Sequence, residues 1–180
     1  MLENAKIAIL VEEQYQDLEV WYPYLRLKEE GAEPVFVGTG SAEEYRGKFG
    51  CPVKVEQNIG DVSYGSFDAV IIPGGWAPDF IRRYPKAVEF IRAMDATGKV
   101  VASICHGAWI LASADIIRGR RLTCFSAIKD DVINAGGKYS DEEVVVDGNL
   151  ITSRRPEDLP AFVRQVIDSI YKAREKKRGN

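Results

Sequence analysis

The sequence predicts a doubly wound α/β sandwich, a mainly parallel sheet covered by helices on both faces, and three observations carry that prediction. Short apolar runs recur along the chain, each bounded by turn residues. Stretches of helical periodicity lie between them. The runs are apolar at successive positions, as strands buried on both faces must be. The 180 residues are 46% hydrophobic, enough for one sizeable core and too few for two of ordinary size. One domain over 1–180 is expected, with a core at about 5–171 and a basic tail at 172–180.

In chain order, strands are expected at "KIAILV" from Lys6, "PVFVG" from Pro34, "FDAVIIPGG" from Phe67, "KVVASI" from Lys99, "RLTCF" from Arg121 and "NLITS" from Asn149. The helix "DLEVWYPYLRLKEEG" takes Asp17 as its cap and stops at Gly31, with Pro23 disturbing its first turns. "PKAVEFIRAMDATG" opens on Pro85, suited to a first helical position, and ends at Gly98. Further helices are "HGAWILASADIIRG", "AIKDDVINAGG" from Ala127, and "EDLPAFVRQVIDSIYKAREKKRG". A short strand around Val53 to Glu56 and a hairpin in "EEVVVDGNLITS", turning at Asp147-Gly148, are additions to this core.

The net charge of -3 and pI near 5.4 argue against general affinity for nucleic acid or anionic lipid, because the global field would repel both. The apolar run Ile7 to Val11 near the N-terminus is too short for a signal-peptide core or a membrane span, so a cytoplasmic location is expected. Cys51, Cys105 and Cys124 are widely spaced and form no CxxC motif, and His106 is the only histidine. Neither a disulfide framework nor a metal site is expected. "GTGSAE" at Gly38 has Glu43 where a dinucleotide loop needs its third glycine, so no cofactor is assigned.

Ligands of an open parallel sheet sit beyond the carboxyl ends of its strands. Four chemically rich segments follow strands here: "EEQYQDLE", with Glu12, Glu13, Asp17 and Glu19; "PGGWAPD", from Pro73 to Asp79; "ICHG"; and "SRRPEDLP". The third reads as a nucleophile elbow, with Cys105 flanked by small residues at Ser103 and Gly107. A helix N-terminus there is expected to lower the thiol pKa. His106 has the side chain for general base and acid, although a buried cysteine beside a capping histidine would read the same way locally. In "PGGWAPD" the backbone N–H of Gly75 can serve as an oxyanion donor, with that of His106 as the second. Asp79 can orient the histidine or cap the helix beginning "FIRRY". Trp76 can line a pocket or a subunit contact. Glu19, if it faces Cys105, is poorly solvated and protonated; otherwise it is an ordinary first-turn acid.

Taken together, "VEEQYQDLEVWYPYLRLKEEGAE", "FDAVIIPGGWAPD", "VVASICHGAWILASADIIRGRRLT", "IKDDVINAGG" and "EVVVDGNLITSRRPEDLP" resemble the ThiJ/PfpI superfamily, most closely its PfpI intracellular protease branch, over Lys6 to Ile170. The resemblance implies a flavodoxin-like three-layer sandwich related to class I glutamine amidotransferases. It implies Cys105 as nucleophile, His106 as acid and base, Glu19 as the acid bonded to the nucleophile, and Gly75 and His106 as oxyanion donors. The family's third acid comes from a neighbouring subunit and is often glutamate; the matching Asp79 is one methylene shorter. A homo-oligomer, from dimer to hexamer, with the site at a subunit interface is therefore expected. The activity implied is a cysteine hydrolase, either a peptidase or a deglycase acting on glyoxal and methylglyoxal adducts. The alternatives are a glutathione-independent glyoxalase and a redox-sensing stress chaperone.

Overall fold

A computed structural model describes residues 2–178. In chain order its elements are β1 (Lys6–Val11), α1 (Asp17–Glu29), β2 (Glu33–Gly38), β3 (Glu44–Arg46), β4 (Pro52–Lys54), β5 (Gln57–Asn58), β6 (Ala69–Ile72), α2 (Ala77–Ile81) and α3 (Pro85–Ala96). They continue with β7 (Val100–Ile104), α4 (Ala108–Ser113), β8 (Arg121–Leu122), α5 (Lys129–Asn134), β9 (Lys138–Tyr139), β10 (Val144–Asp147), β11 (Leu150–Ser153) and α6 (Leu159–Arg178).

The main sheet runs β10-β11-β7-β6-β1-β2-β5, parallel throughout except for β10, which pairs antiparallel to β11. Without the edge strands β5 and β10, the order is that of the flavodoxin-like fold, with β2 and β6 on opposite sides of β1. Every residue of β6, β7 and β11 is buried, which is why these segments read as unbroken apolar runs. Helices α1 and α6 pack together against one face, and α3 and α4 cover the other. In α3 the buried residues Ala87, Phe90, Ile91 and Met94 recur at helical spacing, so one stripe meets the sheet. Among the described residues no helix is long and apolar enough to cross a membrane.

This topology positions the site. The chain leaves β1 towards β2 on one side and returns to β6 on the other, so the loops beyond β1 and β6 diverge and open a crevice. An isolated bridge between Tyr15 and Gly75 stitches those two loops together at its floor.

Several local expectations are corrected. "RLTCF" yields only the two-residue β8, which pairs with β9 outside the main sheet. Gln16, not Asp17, caps α1, its side chain accepting from the Glu19 N–H. Pro23 lies inside α1 without ending it, at the cost of one backbone hydrogen bond. Asp79 lies within α2, whose cap position is Trp76, so it is not a capping residue. The β10–β11 hairpin turns one residue later than the Asp-Gly signal indicates, because Asp147 pairs with Leu150 and leaves Gly148-Asn149 as the loop. The basic segment from Lys172 continues α6 to Arg178, and its last two residues lie outside the described residues.

Candidate active site

Cys105 stands where β7 breaks sharply. Ile104 is extended, with φ -130° and ψ 148°, whereas Cys105 has φ 61°, and a 3-10 turn over Cys105–Gly107 leads into α4. A positive φ at a residue with a Cβ is strained and persists only where its surroundings enforce it. Enforcement comes from packing: a Cβ at Gly107 would lie 2.6 Å from Ser103 Oγ and 2.7 Å from the Ile72 carbonyl. The small residues on either side of the cysteine are therefore what allow the elbow to close.

The neighbouring loop is equally tight. Gly75 has φ +73°, and a Cβ there would lie 2.4 Å from the Gln14 carbonyl oxygen. The Trp76 N–H donates to that carbonyl at 2.9 Å, and the Gln16 N–H donates to the Gly74 carbonyl at 3.2 Å. A Cβ at Gly74 would lie 2.6 Å from Cys105 Cβ and 2.7 Å from Glu19 Oε2. Two glycines thus let the loop lie against Cys105 and Glu19 at once. The backbone N–H groups of His106 and Gly75 favour the Cys105 anion.

Glu19 reaches this point from the first turn of α1 and is fully buried. Its Oε2 accepts from the Gly74 N–H at 2.6 Å, while Oε1 has no hydrogen-bond partner. Burial pushes its pKa up to about 8, against smaller lowering by the Gly74 N–H and the Cys105 thiol. Of the other acids beyond β1, Glu12 accepts from the Thr39 and Ser41 hydroxyls, and Glu13 from the Arg46 N–H at 3.2 Å. Neither lines the cavity containing Cys105.

The Cys105 thiol pKa is raised rather than lowered, first by burial and then by the negative charge of Glu19. This corrects the expectation drawn from the helix N-terminus. Helix α4 spans only Ala108–Ser113, and Cys105 is buried. Protonation of Glu19 removes the unfavourable charge and turns the carboxyl into a donor to the thiolate. Cys105 and Glu19 therefore titrate as a pair.

His106 Nδ1 lies 3.2 Å from Cys105 Sγ. Its ring is stacked near Phe125, with centroids 5.1 Å apart, and meets Trp109 edge-on at 5.0 Å. Burial, and then the Lys48 charge, lower its pKa below the ordinary 6.5, so the imidazole is neutral at pH 7. Asp79 is not its partner within the chain: the carboxylate pairs with Arg83 one turn along. Among the described residues no hydrogen bond joins Asp79 to His106, and Nε2 has no partner.

A cavity of about 240 Å³ opens onto these groups, lined by Glu19, Gly75, Cys105 and His106 together with Gln16, Lys48, Phe49, Trp76, Phe125 and Pro156. A larger surface depression of about 540 Å³, around Lys6, Asn58 and Asp61, is lined by neither cysteine nor histidine. The "SRRPEDLP" segment contributes only Pro156 to the wall, since Arg154 is held by Asp158 and Asp141, each at 2.8 Å.

Sequence reasoning missed the loop between β3 and β4. Asp17, read as a cap, accepts from the Phe49 N–H at 2.8 Å and the Cys51 N–H at 2.9 Å, clasping that loop over the site. A Cβ at Gly47 would lie 2.4 Å from the same carboxylate. The Lys48 N–H adds a bond to the Tyr15 carbonyl at 2.7 Å. The one available signal was Phe49, a large apolar residue in an otherwise polar turn and 75% exposed here. Among the described residues no group of three or more His, Cys, Asp or Glu side chains is arranged to hold a metal ion.

A family model described as the DJ-1/PfpI family matches residues 5–169. The chain is 47% identical over 162 residues to Deglycase PH1704 of Pyrococcus horikoshii, covering 90% of this chain and 97% of that one. It is 41% identical over 166 residues to Protein/nucleic acid deglycase 2 of Escherichia coli, covering 91% and 96%. Among solved structures, a two-domain protein from Anabaena variabilis containing DJ-1/ThiJ/PfpI-like and ferritin-like domains matches with a TM-score of 0.90 and 43% identity. That match covers 92% of this chain and 48% of the two-domain chain.

Proposed function

The chain belongs to the DJ-1/PfpI family, and on that premise we propose that it is a cysteine hydrolase of the deglycase type, returning amines or thiols from small glyoxal and methylglyoxal adducts. One observation carries the reading. A strained Cys105 has a buried acid on one side and a neutral imidazole on the other, with backbone N–H groups of Gly75 and His106 that favour its anion, in a cavity of about 240 Å³. A cavity below the usual range of roughly 300–1,000 Å³ suits a small adduct better than an extended polypeptide.

His106 passes the hydroxyl proton of the hemithioacetal or hemiaminal to the departing thiol or amine, so that the C–S or C–N bond breaks as the aldehyde carbonyl forms. The Cys105 sulfur then adds to that carbonyl carbon, its own proton passing to His106 Nδ1 while the π pair moves to oxygen. The Gly75 and His106 N–H groups hold that oxyanion until His106 returns the proton to it. With a methylglyoxal adduct, one proton then passes from the former aldehyde carbon to the neighbouring ketone carbon. Glu19 is suited to this transfer because it exchanges protons near neutrality. The first carbon is oxidised to a thioester as the second is reduced to an alcohol, so no external oxidant enters. Water activated by neutral His106 releases lactate and restores Cys105. The net change is adduct plus water to free thiol or amine plus lactate.

The half-buried Asp79 beside the exposed Trp76 is the candidate acid for His106 of a second copy, which would supply the partner that Nε2 lacks. The test compares lactate release from the methylglyoxal hemithioacetal of N-acetylcysteine, hydrolysis of a peptide amide and consumption of free methylglyoxal. Cys105→Ala and His106→Ala are assayed beside the native protein. Adduct hydrolysis that exceeds peptide hydrolysis and is abolished by Cys105→Ala is expected. Full turnover by both variants would overturn the reading.

A further inference from the structure

The cavity walls are largely apolar, formed by Phe49, Trp76, Phe125 and Pro156, yet one cationic side chain also lines them. Lys48 is held there by its backbone: its own N–H is bonded to Tyr15, and Asp17 grips the next residue along. Lys48 is exposed, its ammonium lies over the Phe49 ring at 5.8 Å, and among the described residues no carboxylate lies within ion-pair distance. The nearby acids are committed elsewhere. Asp17 is taken up by two loop N–H groups, and Glu19 is buried on the Gly74 N–H. The Lys48 charge is felt at both Glu19 and His106, so it acts on the reacting centre rather than away from it.

We propose that Lys48 anchors a carboxylate carried by the substrate, so that the site selects small carbonyl adducts bearing an acidic group, such as adducts of free amino acids, over neutral ones. The inference rests on the hydrolase reading for its substrate but not for its electrostatics. A single ammonium on a flexible stem is a point charge matched to one negative charge. Lys48 is exposed at the mouth of the cavity, so the attraction is that of a surface charge and is screened by salt. Anchoring there would leave the carbonyl end of a molecule small enough for the cavity free to meet Cys105.

Two measurements on the full chain test this. The first is the rate of Cys105 alkylation by iodoacetate relative to iodoacetamide, read on the Cys105 peptide by mass spectrometry. The ratio cancels the thiolate population and reports the local field alone. It is expected to fall about fivefold in Lys48→Met and to be retained in Lys48→Arg. The second compares kcat/KM on the methylglyoxal hemithioacetals of N-acetylcysteine and N-acetylcysteinamide, which differ only in the carboxylate. A preference of about tenfold for the acid is expected, collapsing towards one in Lys48→Met and reversing in Lys48→Glu. An alkylation ratio unchanged in Lys48→Met overturns the anchor even if both adducts are hydrolysed. A ratio that follows Lys48 while neither adduct is turned over leaves the anchor standing and removes the hydrolase reading.

Discussion

At the scale of single residues, burial leaves one carboxyl of the site holding its proton up to near neutrality. Glu19 has a folded pKa of about 8 against an ordinary 4.5, so the native state binds a proton that the unfolded chain has released anywhere between those values. Stability from this residue is therefore greatest at and below the unfolded pKa and declines as pH rises towards 8. In Glu19→Gln, which cannot titrate, stability relative to the native protein should rise between pH 5 and pH 8. The limit is about 1.4 kcal/mol per pH unit. Urea unfolding at the two pH values measures it, and a constant difference would show that the carboxyl does not titrate in that window. Gly74 is the complementary case. Its missing Cβ leaves room for both Cys105 and Glu19, so Gly74→Ala should cost at least a hundredfold in kcat and about 1–3 kcal/mol in stability. His106 should set the acidic limb of kcat/KM below pH 6.5, and Lys48→Met, by removing a repelling charge, should move that limb to higher pH.

At the scale of elements, the site is assembled by turns rather than by regular structure. The break after β7 sets Cys105 at the cavity, the loop after β6 brings Gly75 beside it, and the first turn of α1 delivers Glu19. The β3–β4 loop closes the cavity and is held by the two bonds to Asp17. Asp17→Ala removes both acceptors at once. It should raise KM several-fold with a smaller effect on kcat and make residues 47–51 a site of rapid limited proteolysis. Unchanged proteolysis would mean that the hairpin itself, and not Asp17, holds the loop. The same loop explains a wrong local expectation. An aspartate just before an apolar helix is an ordinary cap signal, but here a residue thirty positions away needed its carboxylate more, and Gln16 took over the capping.

At the scale of the whole molecule, the flavodoxin-like order puts β2 and β6 on opposite sides of β1, and the crevice this opens holds every residue of the site. Among the described residues Asp79 is ion-paired with Arg83, and Trp76 is 51% exposed. If Asp79 serves His106 across an interface, mixing Cys105→Ala and Asp79→Ala subunits, each inactive, should restore part of the activity on reassembly. No recovery is expected if each subunit works alone. By itself the sequence determined the α/β class, the strands β1, β2, β6, β7, β10 and β11 of the central sheet and the turn at Cys105, because buried runs, turn residues and small neighbours are properties of adjacent positions. It also brought Glu19, Gly75 and His106 forward as candidates. Only the tertiary structure decided which of four acids beyond β1 meets the thiol, that the thiol pKa is raised, that Asp17 clasps a loop and that Lys48 faces the cavity. Each of those depends on side chains from segments far apart in the chain, and on how much water remains between them once the sheet brings their ends together.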